Sequence, residues 1–298
     1  MIRVGPAGWS YKDWEGIVYP RPKPKDFHPL HFLAQFFQCL EINSTFYAPA
    51  RREHAVIWAR QVEHLPDFRF TAKLHRDFTH RERADSGEEI RADARRFLEG
   101  LEPLRRAGKL AALLVQFPAS FHESPASVRR LGRIRSLFGE LPLVLEVRHH
   151  SWFTPRSLAE VTGQGYSLAH IDLPDAWDHP PPWHEPTAAI GYLRLHGRNS
   201  QAWFARDVGR DQKYDYLYSP PEVSALVEKA RRIAGGNDET YVVTNNHFSG
   251  QAVANGLEIL SALRGSKVAA PSALVRAYPE LAGCTFPPPD PSGQQEFF

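Results

Sequence analysis

Eight short apolar runs recur along the 298-residue chain, at residues 3–10, 39–45, 68–75, 110–118, 141–149, 166–173, 189–197 and 239–247, and most end in a polar cluster. Segments with helical periodicity separate most of them, at residues 30–37, 52–62, 86–106, 124–138, 151–162, 221–234 and 251–263. Alternation of this kind specifies an α/β fold, and eight repeats point to a single-domain (β/α)8 TIM-type barrel. Ser86 with Glu89 three residues on reads as a capping box, and Gly108 as a helix stop. The sixth gap breaks the rule. Residues 172–186 carry Pro174 and Pro180-Pro181-Pro182, which no ordinary helix accommodates, so an irregular loop bearing Trp177 and Trp183 is expected after strand 6. The barrel is expected to occupy residues 1–265. Residues 266–298 form a C-terminal extension, packed on the barrel or partly disordered.

A hydrophobic fraction of 42% suffices for one large core, and a formal charge of +2 argues against a nonspecific nucleic-acid coat protein. No run of about 18 apolar residues exists, and the chain enters its first strand within a few residues, so neither a membrane span nor a signal peptide is expected. Cys39 and Cys284 are far apart and lack a CxxC partner, which fits a reducing cytoplasm. Cys39 opens an apolar strand and reads as core. No GxGxxG, Walker-type loop or Gly-x-Ser-x-Gly elbow is present, so no cofactor is expected.

In a barrel of this type the site lies at the carboxyl ends of the strands. Strand residues alternate faces. That spacing groups Glu41, Asn43 and Thr45; Thr71, Lys73 and His75; Glu146 and Arg148; His170 and Asp172; and Tyr192, Arg194 and His196. Unpaired burial of such groups costs several kcal/mol each, about 2–7 by transfer scales. They must therefore pair with one another, as Glu41 with Lys73 and Glu146 with an arginine would, or meet water or a ligand. The expected catalytic set is Glu41, Lys73, Glu146, Asp172 and His196. A carboxylate there would serve as acid or base, and Asp172 would do so or orient His196 or an arginine.

The cations Lys73, Arg148, Arg194 and Arg198, with His75, His80 and His196 as donors, suit a small anionic or phosphorylated ligand. Aromatic residues crowd the same ends: Trp9, Tyr11 and Trp14 after strand 1, Phe46 and Tyr47 after strand 2, Trp152 after strand 5, and Trp203, Phe204, Tyr214, Tyr216 and Tyr218 after strand 7. Such rings stack sugars or bases, or else plug the barrel mouth, the alternative for Trp14 and Trp152. Arg198, Arg206, Arg210 and Lys213 among the last group fit a loop closing on an anion. The ligand-binding set is completed by Asn43, Gln116, Asn245 and Asn246. His28, His31, His54, His64, His122, His179 and His184 lack a supporting constellation and read as solvated.

Several phrases are more specific. Gly8-Trp9-Ser10-Tyr11 with Trp14, Gly16, Tyr19 and Pro20 resembles the opening of the YecE-like family, catalogued as domain of unknown function 72. So do residues 41–47, Phe68-Arg69-Phe70 leading to Lys73, Thr79-His80, Gln116-Phe117-Pro118, and Glu146-Val147-Arg148-His149 before Ser151-Trp152. Residues 192–198 and Asn245-Asn246 before Ala252 and Asn255 complete the set, which runs in order from Ile2 to Leu263. Gly5-Pro6-Ala7 departs from the family's usual Gly-Thr-Ser type of run. The resemblance implies a TIM-type barrel and supplies no reaction. Members are distantly similar in fold to barrel endonucleases of the endonuclease IV type, so nucleic acid is a further candidate partner, on fold analogy alone.

The expectation is therefore an enzyme, a hydrolase or lyase, acting by metal-independent acid/base chemistry on a phosphate-containing or other anionic substrate. Three alternatives stand beside it. In a metal-dependent phosphodiesterase, His75, Glu146, His149, Asp172 and His196 would be ligands, against the repulsion of nearby Lys73, Arg148 and Arg194. A carbohydrate hydrolase would work through Glu41 and Glu146. A noncatalytic protein would bind nucleic acid or an anionic metabolite. Oligomeric state is left open.

Overall fold

Residues 1–81, 87–205 and 209–288 are described by a computed structural model. Apolar β-branched runs become parallel strands, and their parallel pairing demands helical crossovers on the outside. Five strands, β2 (Cys39–Ile42), β3 (Arg69–Lys73), β4 (Leu110–Gln116), β5 (Leu143–Glu146) and β6 (Tyr166–Leu168), form one sheet in chain order. Four more, β1 (Ile2–Pro6), β7 (His170–Asp172), β8 (Ile190–Leu195) and β9 (Glu239–Thr244), form a second in the order β1-β9-β8-β7. Every pairing is parallel.

The result is a single-domain α/β fold with two parallel sheets, where one eight-stranded sheet was expected. The sixth expected strand is split in two by Ala169, and its halves belong to different sheets. At that seam the Ala169 N–H donates to Leu145 O, but side chains replace further ladder bonds: Leu168 N–H donates to Thr187 Oγ1 and Ile190 N–H to Ser167 Oγ. At a second seam Ala7 pairs with Glu41 and the Gly8 N–H donates to Glu41 O.

Helices α1 (Pro29–Ala34), α2 (Arg52–Gln61), α3 (Arg76–Thr79), α4 (Gly87–Arg106), α5 (Pro125–Phe138) and α6 (Pro155–Gly163) connect the first strands. They are followed by α7 (Ser200–Phe204), α8 (Pro220–Gly235) and α9 (Gln251–Arg264). Ser124 and Thr154 cap α5 and α6 by accepting from Ser127 N–H and Ser157 N–H. The capping role assigned to Ser86 lies outside the described residues. No helix occurs between Asp172 and Ile190, where prolines interrupt the chain.

Side chains outside the sheets, among them Leu40, Phe70, Leu113, Leu145 and Leu193, join the helices in the main apolar core. The opposite faces form a separate interior that is layered. Arg3 donates to Glu239 at 2.9 Å near the amino ends. Cys39, Ala112, Leu114, Val144, Tyr192, Tyr241 and Val243 make an apolar middle layer, and charged residues occupy the carboxyl ends. Beyond residue 265, α10 (Ser272–Ala277), the short pair β10 (Val268–Ala269) and β11 (Thr285–Phe286), and a 3-10 turn at Pro279–Gly283 bury Val268, Leu274 and Leu281 in the main core. Tyr278 also donates to Ser249 O at 2.8 Å. Trp14 and Trp152, expected at the ligand, are instead fully buried, donating to His247 O and Phe121 O. Their large apolar area is worth more in the core than at an open rim.

The seam between β1 and β2 depends on Gly5, where a Cβ would lie 1.7 Å from the Cys39 carbonyl oxygen. Gly108 has φ of 65° and open space around it. Gly5→Ala is expected to destabilise the protein by about 3 kcal/mol or more through a backbone clash, and Gly108→Ala by only about 1. Urea denaturation of the two variants checks the order.

Candidate active site at the carboxyl ends of the strands

Arg194, on β8, is the centre of the charged layer and is 1% exposed. Its Nε and Nη2 donate to the two carboxylate oxygens of Glu41 at 3.0 and 2.7 Å. Its Nη1 donates to Glu146 Oε2 at 3.1 Å and Gln116 Oε1 at 3.3 Å, and Nη2 also reaches Asn245 Oδ1 at 3.2 Å. Glu41 accepts a further bond from Tyr192 OH at 2.8 Å, and Glu146 accepts from Arg148 Nε and Nη2 at 3.1 and 2.9 Å. The expected Glu41–Lys73 pair does not form. Burial favours the neutral Glu146 carboxyl, but Arg194, His196 and Arg148 outweigh it and hold the group well below the carboxylate range.

His196 is locked as a neutral ring. Asn245 presents Oδ1 to Arg194, so its Nδ2 donates to His196 Nδ1 at 3.1 Å. The ring proton therefore sits on Nε2, facing Glu146 Oε1 at 3.2 Å. Burial accordingly lowers the His196 pKa to about 4, although Glu146 opposes it.

Above this layer opens a pocket of about 620 Å³, in the range of small-molecule sites. Of the expected residues, Trp9, Tyr11, Asn43, Tyr47, Lys73, His80, Gln116, Arg194 and Asn245 line it. Phe46, His54, Trp58, Tyr214 and His247 line it as well. Tyr11 stacks on His247 at 4.6 Å, and Trp9 meets Trp58 edge-on at 5.5 Å. Among the described residues the charged lining consists of Lys73 and Arg194. No carboxylate of these residues contributes to it, because Glu41 and Glu146 lie fully buried behind Arg194.

Lys73 differs from every other cation in the layer. Among the described residues its Nζ has no hydrogen bond or ion pair and sits 4.3 Å above the Phe46 ring. Burial, reinforced by Arg194 and Arg148 against the pull of Glu41 and Glu146, lowers its pKa to about 7. His80 touches the other edge of the Phe46 environment at 4.9 Å and is pushed to about 4 by burial and then by Lys73.

Other expected site residues are placed elsewhere. Asp172 accepts from Arg198 Nε and Nη2 at 2.9 and 2.7 Å and from Tyr218 OH at 2.7 Å, so it orients an arginine and not His196. Arg198 also reaches Glu222 at 3.1 Å. His75 accepts from Asp77 N–H at the start of α3, and Asn246 donates to Tyr216 O and Asn255. Arg148 is half-buried beneath Trp203, off the pocket wall. Of the residues weighed as metal ligands, Glu146 and His196 meet at 3.2 Å, but the others are engaged elsewhere: His149 stacks on His122 at 3.8 Å, His75 caps a helix and Asp172 is held by Arg198. Arg206 and the side chain of Arg210 lie outside the described residues.

Sequence reasoning missed His54 and Trp58, which are four residues apart on one face of α2. That spacing was the available signal. His54 is exposed, as expected, but lines the pocket, whereas His184 is buried in a stack on His170 at 3.8 Å.

The family model described as "Protein of unknown function DUF72" matches residues 3–277. The chain belongs to this family. The UPF0759 protein YunF of Bacillus subtilis is 29% identical to it over 278 residues, covering 88% of this chain and 95% of that protein. The UPF0759 protein YecE of Escherichia coli K12 is 28% identical over 167 residues, 55% of each chain. Among solved structures, a DUF72 family protein from Thermotoga maritima matches with a TM-score of 0.74 at 30% identity, covering 89% of this chain and 99% of that one. Another, from Enterococcus faecalis, gives 0.76 at 27% identity, covering 89% and 96%. The DUF72 fold is therefore shared along nearly the whole chain, and none of these names carries an activity. No helix among the described residues is long and apolar enough to cross a membrane.

Removing Arg194 would leave two buried carboxylates without their shared cation. Arg194→Met is expected to cost about 3–5 kcal/mol, and a guanidinium chloride titration measures it. Lys73 acts in the opposite sense. Its pKa is about 7 in the folded chain against an ordinary 10.5, so the unfolded chain binds more protons between those values. Stability of the parent relative to Lys73→Met should therefore rise from pH 7 to 10 and level off above, as paired denaturation curves would show.

Proposed function

We propose that the protein is an enzyme that binds a small anionic substrate, phosphate-bearing compounds included, in the pocket above Arg194 and transfers protons through its own side chains. The observation that carries this reading is the asymmetry of the lining: among the described residues Lys73 and Arg194 face the cavity while no carboxylate does. An anion there meets two cationic groups and the amides of Asn43, Gln116 and Asn245, in surroundings where charge is poorly screened. The rings of Trp9, Tyr11, Trp58 and Tyr214 supply flat apolar contact for a sugar or base, so a nucleotide end is among the substrates that fit.

Lys73 is the proton carrier in this scheme. With a pKa of about 7 it is present in both forms near neutrality, as an efficient acid–base group must be. Glu41, Glu146 and His196 position Arg194 and hold the electrostatic background; unlike Asn245, they do not line the cavity. The two seams at Ala7 and Ala169 support closure of both sheets into one (β/α)8 barrel spanning residues 1–265, with the segment beyond it lying against the outside. The free thiols of Cys39 and Cys284 accord with a cytoplasmic protein.

Anion binding stabilises protonated Lys73 and so raises its pKa. Affinity should be greatest below pH 7 and weaken as pH rises through the free-state value, by up to about tenfold per unit. Calorimetric titration of sugar phosphates and inorganic phosphate at pH 6, 7.5 and 9 would show proton uptake near pH 7.5, lost in Lys73→Met. Affinity that is flat with pH and indifferent to Lys73→Met would sink the assignment.

A further inference from the structure

We propose that Lys73 is also a nucleophile, condensing with the carbonyl group of an aldehyde or ketone substrate to form an imine in the pocket. The inference rests on the anionic-substrate reading above and names the substrate's second functional group. It follows from what surrounds the amine. Lys73 is partly buried, and a lysine with restricted access to water normally finds oxygen partners. Lys109, which is buried, donates its ammonium protons to the Leu65 and Pro66 carbonyls. Lys73 has no such partner among the described residues, although two carboxylates lie in the same charged layer.

Those carboxylates are engaged. Glu41 is committed to Arg194 and Tyr192, and Glu146 to Arg194, Arg148 and His196. The amine instead faces the open cavity from the end of β3, with a hydrocarbon ring beneath it. Its charged neighbours are Arg194 and Arg148, which disfavour the ammonium, and Glu41 and Glu146, which favour it; His80 beside it is held neutral. A desolvated amine next to fixed cations is how a lysine becomes a carbonyl nucleophile at neutral pH.

The step balances without a co-reactant. The Nζ lone pair attacks the carbonyl carbon while the carbonyl π pair moves to oxygen and takes a proton, giving a carbinolamine. The nitrogen then re-forms a double bond to carbon, and the former carbonyl oxygen leaves as water after a second protonation. Nitrogen loses two protons and oxygen gains two, leaving a neutral imine that then takes one proton from solvent. The protonated imine draws electrons from the adjacent carbon, so a proton is released there more easily, or a carboxylate borne there leaves as carbon dioxide while its bonding pair passes to that carbon and gives an enamine. Hydrolysis by one water regenerates Lys73.

The test uses the full-length protein with pyruvate and sodium cyanoborohydride at pH 7, followed by peptide mass spectrometry, with pyruvate binding measured separately by calorimetry. Cyanoborohydride reduces an imine to a stable secondary amine. At pH 7 the neutral fraction of Lys73 exceeds that of an ordinary lysine by about three orders of magnitude. Allowing for restricted access, the adduct should accumulate on Lys73 on the order of a hundredfold faster than on the exposed Lys25 and Lys267. Labelling that follows surface exposure and spares Lys73, while pyruvate still binds, would overturn the imine and leave the anion site standing. Absence of both adduct and binding would overturn the two together.

Discussion

The structure turns on one guanidinium held between two carboxylates where water does not reach. Arg194 stands on the four-stranded sheet, and Glu41 and Glu146 stand on the five-stranded sheet. The ion pairs therefore tie the two sheets together across their shared interior. Such an arrangement is costly to build and costlier to break, because any one member removed leaves the others charged and unpaired. The bidentate grip on Glu41 and the amide of Asn245 supply the geometry that makes it tolerable.

The same pairing decides what faces the cavity. Both carboxylates are turned inward and satisfied, so their charge is spent on Arg194 and Arg148, and Lys73 is left without a counterion among the described residues. Its lowered pKa is the electrostatic remainder of a network that closes without it. Asn245 extends the control to His196, whose Nδ1 must accept and so cannot carry a proton. The interior thus separates a fixed layer of charge from one side chain able to change state.

Much of this architecture was legible in the chain. The eight apolar runs all contain strands, and period-two spacing correctly put Glu41, Thr71, Tyr192 and Arg194 on one interior face, where Thr71 and Glu41 both contact Tyr192. What the pattern could not give is which charges meet. Pairing across an interior depends on strand tilt and relative height, and these place Arg194, not Lys73, against Glu41. The split at Ala169 left no mark either, because the apolar run is continuous across it. Trp14 and Trp152 sit in motifs rich in site residues, yet position in a motif does not reveal which way a ring turns. His54 and Trp58 lay hidden because they belong to a helix, and attention to strand ends excludes helices by construction.

The pocket also has a dependence that its own residues do not reveal. His247, stacked on Tyr11, is carried by a turn in which Ser249 adopts φ of 49°, unusual for a residue with a side chain. That turn is held from both sides. Asp13 accepts from the Ser249 N–H at 2.7 Å, and Tyr278, far downstream, donates to the Ser249 carbonyl. A helix after the last long strand pair is thus a buttress for one wall of the cavity. A shortened chain ending at residue 265 would keep β1 to β9 and still lose the brace that fixes the imidazole's height, so the pocket wall and its remote support form one unit.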